Sequence, residues 1–340
     1  MNCNYIDWPK AVSLMTEIKE NSYSPGAFTI ELNDECYPIA HDMGFQDEKA
    51  QSGLLHEYIH YLQDTVTYYG VKYRTELYSK NVNMTVAGGN GNSLLSLPEF
   101  AGMKPINIDA NGRPTFEGEL IGATAIKENM ARQAEFYVYG TPQFDNSKAV
   151  IYTGITTLVR SVSEQLSESP LALFVIDDCC LGTTDPAASL MVILKNMETE
   201  KAEALLKLSD LELAHGLYDL CRNILENNGI EVDAEIDQTP FESEEWCYTV
   251  INNITCRIYP SEEDCKKDID AALKLSSILD EQSRVNAQVR HANHTALADS
   301  LMDFKQNRDL EQLFAKYGTP LIKRTGSCDP KESNVDIYLQ

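Results

Sequence analysis

The stretch Gly53-Leu54-Leu55-His56-Glu57-Tyr58-Ile59-His60-Tyr61-Leu62 decides how this chain is read. Leu55, Ile59, Leu62 and Val66 recur at three- and four-residue intervals, the spacing of a stripe buried by one face of a helix. His56, Glu57, His60, Asp64 and Thr67 gather on the other side. Residues four apart on a helix stand one above the other, so His56 and His60 can offer both imidazoles to one metal ion. Glu57 is turned by about 100° from His56. That sets its carboxylate beside such an ion, where it can take a proton from an activated water. The spacing predicts a helix from about Asp47 to about Tyr69, stopped at Gly70, with one face in the core and a polar face towards a cleft.

Catalytic zinc normally takes three protein ligands and leaves one position open. The stretch just after His60, Tyr61 to Gly70, brings no further histidine, so the third ligand has to come from elsewhere. A second helix is expected over about 119–139, and Glu128 within it is the leading candidate. Gly122, Ala123, Ala125 and Ala131 would let that helix lie close against the first. Glu135 and Glu119 stand as alternatives.

With both helices placed, His56-Glu57-x-x-His60 followed by Glu128-x-x-Ala131 resembles the gluzincin group of zinc metallopeptidases. The resemblance covers only these two helices. It implies Glu128 as the third zinc ligand, Glu57 as general base, and hydrolysis by zinc-activated water. In that group an acidic residue four positions after the third ligand often orients a zinc-bound histidine. Here that position is Arg132, and Asp64, one turn after His60, is the expected substitute. A donor to the tetrahedral intermediate is also needed, and Tyr68, Tyr69, Arg132, Tyr137, Tyr139 and His215 are the candidates. The same resemblance implies that the strand containing Phe28 and Leu32 holds substrate backbone by strand addition.

Around this pair the expected fold is α+β and predominantly α-helical, with a small N-terminal β element and a helical C-terminal half. Residues 26–39 read as a strand, a polar turn and a second strand, and more helix is expected over 73–80. Residues 81–118 read as an irregular insertion, a lid or substrate-binding loop. Helices are expected near 148–167, 186–207, 209–228, 262–290 and 294–316. Residues 245–258 are ambiguous, Leu171 to Ile176 read as core, and the tail after Gly318 reads as irregular until its very end. The division is a zincin-like catalytic region over 1–200 and a helical region over 201–340, with a single domain as the alternative.

With 52 acidic against 28 basic residues, the formal net charge is −24. Such a surface repels phosphate backbones and anionic lipid, so neither nucleic acid nor membrane is an expected partner. No apolar run reaches the length of a membrane span. The nine cysteines follow no metal-binding spacing and no secretory signal precedes them, which fits reduced thiols in a cytoplasmic protein. The vicinal Cys179 and Cys180 read as buried thiols rather than a redox site. His291 and His294 read as an exposed or capping pair, and His41 and His215 as isolated. The glycines at 88, 89 and 91 lack the rest of a phosphate loop. Leu205, Leu206, Leu208, Leu211, Leu213, Leu217 and Leu220 read as core packing. The expectation is therefore a zinc-dependent hydrolase, an intracellular peptidase acting on a protein or peptide. The alternatives are a zinc hydrolase of another bond, and a non-catalytic module with a structural metal whose acidic helical half binds a basic protein.

Overall fold

The computed structural model describes residues 21–24, 29–33, 48–72, 122–140, 150–234, 282 and 284–324. The expectations for 73–80, 81–118, 245–258 and most of 262–290, and those for Phe28, His41, the glycines at 88–91 and Glu119, lie outside these residues.

The architecture is built on a helix with no exposed side. In α5 (Pro170–Leu181) every residue from Leu171 to Leu181 is buried. A helix buried all round carries no periodic pattern, so its sequence announces a core segment without announcing a helix. Ser169 caps its start by accepting from the Ala172 amide, and Pro170 occupies the first turn, where its missing N–H costs nothing. Helix α5 packs against α2 (Ala123–Tyr139) on one side and α8 (Asp210–Asn227) on another, and α2 in turn packs against α1 (Glu48–Val66). Buried Ala123, Ala125, Ala131 and Ala134 allow the α2 backbone its close approaches.

The remaining helices are shorter than the sequence suggests. The run over 148–167 divides into α3 (Val150–Arg160) and α4 (Glu164–Ser167), because Ser163 caps a new start by accepting from the Leu166 amide. The run over 186–207 divides into α6 (Pro186–Asn196) and α7 (Thr199–Leu205). The run over 294–316 divides into α9 (Ala296–Asn307) and α10 (Leu310–Tyr317) at Arg308, which adopts the left-handed conformation. Helix α8 begins where predicted, since Ser209 and Glu212 form a reciprocal capping box.

A small sheet completes the fold in the order β1 (Ser22–Ser24), β2 (Thr29–Leu32), β3 (Leu321–Arg324). Strands β1 and β2 are antiparallel with Tyr23 opposite Ile30, whereas β2 and β3 are parallel with Ile30 opposite Ile322. Two sequence expectations are corrected here. The described part of the tail after Gly318 is not irregular: residues 321–324 form β3, whose partner lies at the other end of the chain and leaves no local signal. Strand β2 is not an edge open to substrate, since β1 and β3 take both of its sides.

The C-terminal turn is tied directly to α1. Tyr58 donates to the carbonyls of Leu313 and Gly318, at 3.1 and 2.8 Å, and Tyr61 donates to that of Tyr317 at 3.1 Å. Gly318 sits at φ 96°, ψ 159°, a region open only to glycine, and a Cβ there would lie 2.6 Å from the Tyr61 hydroxyl. Residue 200 falls inside α7, and the hydrophobic core takes residues from both sides of it, Ile30 to Ile322.

Gly70 does not stop the first helix. Helix α1 ends at Val66, Thr67 interrupts it, and helical turns resume over 68–72. The Thr67 hydroxyl donates to the Gln63 carbonyl at 2.7 Å and accepts from the Gly70 amide at 3.2 Å. A Cβ on Gly70 would lie 2.0 Å from that same carbonyl, so the position is glycine because two backbones meet there.

Asp177 sits inside α5 with no exposure. One of its oxygens accepts from Asn129 Nδ2 at 2.6 Å, and the other has no hydrogen-bond partner among the described residues. Burial pushes its carboxyl well above the usual range, and the neighbouring Asp178 adds to the effect against the pull of Asn129. The folded state therefore binds more protons than the unfolded state once pH exceeds about 4, so stability falls as pH rises from there. Asp177→Asn should remove this fall. Chemical denaturation at pH 5 and pH 8 should show the variant gaining on wild type at the higher pH, by roughly 1–3 kcal/mol.

Candidate metal centre

Helix α1 departs from the amphipathic pattern expected of it. Between Ala50 and Thr67 only His56 is partly exposed. The polar side does not face open solvent, and His56, His60, Asp64 and Thr67 are instead hydrogen-bonded within the protein. Glu57 is 6% exposed, His60 7%, and Asp64 and Thr67 less.

His56 and His60 stand on successive turns of α1 with ring centroids 5.0 Å apart. Across from them on α2, Glu128 places Oε2 at 3.4 Å from Nε2 of both rings. The three donor atoms lie within 4.8 Å of one another, a group that could hold a metal ion. The Nδ1 atoms face away from this point. That of His56 lies 3.0 Å from Glu135 Oε2, while Glu135 Oε1 accepts from the Ser52 hydroxyl at 2.9 Å. That of His60 lies 2.9 Å from Gln63 Oε1. Two imidazoles and a carboxylate are a donor set suited to zinc.

The electrostatics favour added positive charge. Burial lowers the tendency of His56 to hold a proton, yet Glu128, Glu135 and Glu57 together raise it well above its ordinary value. Burial pulls the Glu128 carboxyl upward, but the imidazoles of His60 and His56 outweigh it and hold the group below the carboxylate range. For Glu57 burial wins over the imidazoles, and its carboxyl is raised. A raised carboxylate is the better proton acceptor near neutrality.

The structure thus brings His56, His60 and Glu128 together, with Glu57 within electrostatic reach of all three. It assigns Glu135, weighed as a ligand from sequence, a place behind His56. Glu135→Ala should leave the three donors in place and weaken metal binding by roughly 10–100-fold, measured by competition with a chelator.

Asp64 does not orient a histidine. It accepts from Lys127 Nζ at 2.7 Å, and the residue behind His60 is Gln63, one position earlier. A neutral glutamine carries no motif signal, although its place three residues after His60 puts it within reach on a helix. Arg132 is buried on α2 with its guanidinium over Phe136 at 5.5 Å. Tyr68 lies under Lys72 Nζ at 5.6 Å, and Tyr69 is in the core cluster. Tyr137 donates to Asp210, Tyr139 donates to Gln51, and His215 pairs with Asp299. None of these contacts involves the triad. Tyr23 of β1, which sequence reading did not single out, lies against His60 with centroids 6.5 Å apart and planes 17° from parallel.

Away from this centre, Cys179, Cys180 and Cys221 are free, buried thiols whose pKa values burial pushes up, that of Cys221 to about 12. His294, read from sequence as one of an exposed or capping pair, has an acidic partner: its Nδ1 lies 3.0 Å from Asp233 Oδ2. Among the described residues no helix is long and apolar enough to cross a membrane. Compared with known families, curated proteins and solved structures, the chain matches none.

Proposed function

We propose that this protein is a zinc-dependent hydrolase, a gluzincin-like intracellular peptidase that cleaves a protein or peptide with Glu57 as general base. The observation that carries the reading is the convergence of His56 Nε2, His60 Nε2 and the Glu128 carboxylate, with Glu57 beside the first histidine on the same helix. A zinc ion held there would polarise a carbonyl and activate water at neutral pH.

The chain's own groups supply the rest. Glu57, with its raised carboxyl, takes the proton as water adds to the scissile carbon and returns it to the departing amine. Glu135 and Gln63 hold the two rings from behind. His56 and Glu128 have side chains 18% and 22% exposed, against 9% for His60, so substrate approaches from their side.

The test is to incubate the zinc-loaded chain with a mixed peptide library and to follow new peptide termini by mass spectrometry. Cleavage that a chelator stops and zinc restores supports the reading. Metal binding without cleavage of any peptide would turn the assignment towards a structural metal or another scissile bond.

A further inference from the structure

The two histidines differ in what stands behind them. His56 is backed by a carboxylate, Glu135, whereas His60 is backed by a neutral amide, Gln63, which is fully buried. An amide can turn either end towards a ring nitrogen, so its effect depends on which end is fixed. Here the structure fixes it. Gln63 Nε2 donates to the backbone carbonyl of Lys127 at 2.8 Å. A carbonyl can only accept, so the other end of the amide, Oε1, is the one presented to His60 Nδ1 at 2.9 Å. An oxygen without a hydrogen requires a donor opposite, and Nδ1 therefore carries the proton. The Nε2 lone pair is left facing Glu128.

The same amide reaches across to the second helix. Lys127 directly precedes Glu128, and it is held twice from α1: its carbonyl by Gln63, and its ammonium by Asp64 at 2.7 Å. Gln63 thus stands between the ligand on its own helix and the backbone that carries the ligand on the other.

We propose that Gln63 is a positioning residue of the metal centre, which selects the His60 tautomer that offers Nε2 to the ion. This rests on the reading of His56, His60 and Glu128 as a metal site. The decisive part is the acceptor at Nδ1, and it can be separated from the link to Lys127. Gln63→Leu removes both. Gln63→Glu keeps an acceptor for Nδ1–H in either protonation state and so replaces the essential half.

The experiment is zinc affinity of the full chain, by competition with a fluorescent chelator, for wild type and both variants. Thermal unfolding of each metal-free protein reads any loss of fold separately. Gln63→Leu should bind zinc roughly 10–100-fold more weakly, and Gln63→Glu should stay within about threefold of wild type. Should Gln63→Leu fail to fold, Gln63→Met of similar length carries the same comparison. An unchanged affinity in Gln63→Leu overturns the proposal, and so does an equal loss in both variants, which would place the whole effect in the link to α2. Failure of wild type to bind zinc at all would instead remove the metal-site reading beneath it.

Discussion

Glu57→Gln should keep its zinc and its fold while losing roughly 10²–10⁴-fold in the rate of any hydrolysis that wild type performs. The amide has nearly the same shape as the carboxylate but cannot accept a proton. Glu57 is not among the three convergent donors, so its loss leaves the metal's ligands intact. It does remove one negative charge from the group that acts on His56, and a modest fall in affinity is compatible with the account. Single-turnover rates on a peptide found by library screening, set beside metal content, separate the two effects. Equal rates in variant and wild type would remove Glu57 from the reaction.

The largest stability effect should come from Arg290→Met, at about 3–5 kcal/mol. Arg290 is buried and bridges two acids from distant parts of the chain. Its Nη1 lies 2.7 and 2.8 Å from the two Asp178 oxygens, and its Nε lies 3.1 and 3.2 Å from those of Asp233. Tyr218 donates to Asp233 as well, and His294 closes the group. Removing the guanidinium strands two buried carboxylates. Burial already pushes Asp178 up to about 6 against the pull of Arg290, with Asp233 adding to the rise. Without the cation both acids are forced towards their neutral forms. The folded variant then binds more protons than its unfolded state above about pH 4, and the deficit should widen from pH 5 to pH 8. The exposed pair Arg222–Glu226, at 2.7 Å and one helical turn apart, supplies the contrast. Breaking it should cost less than about 1 kcal/mol.

These two sites also mark where the sequence is readable. Helix α1 announces itself because chemistry and periodicity coincide over a few adjacent residues. His56, Glu57 and His60 need only a regular helix to fall where they do, and Glu128 needs only a second helix with small residues along it. The supports are another matter. Gln63 and Glu135 act through single hydrogen bonds to ring nitrogens, and no spacing rule distinguishes them from Asp64 or Glu119. Asp177 and Asp178 look like the polar end of an apolar run. They lie inside α5, one bonded to Asn129 and the other to Arg290, contacts that span 48 and 112 residues of chain. Strand β3 was hidden for the same reason, since four residues beside a distant partner carry no local signature. Helix α1 is not amphipathic in its surroundings, because burial covers its polar face too, with hydrogen bonds replacing water at His60, Asp64 and Thr67.

The central claim is that His56, His60 and Glu128 hold a metal ion. Elemental analysis of freshly purified and zinc-reloaded wild type, His56→Ala, Glu128→Ala and Glu57→Gln tests it most directly. The account predicts stoichiometric zinc in wild type and in Glu57→Gln, and its loss in the two alanine variants. Wild type that takes up no metal, or Glu128→Ala that retains it as tightly as wild type, would contradict it.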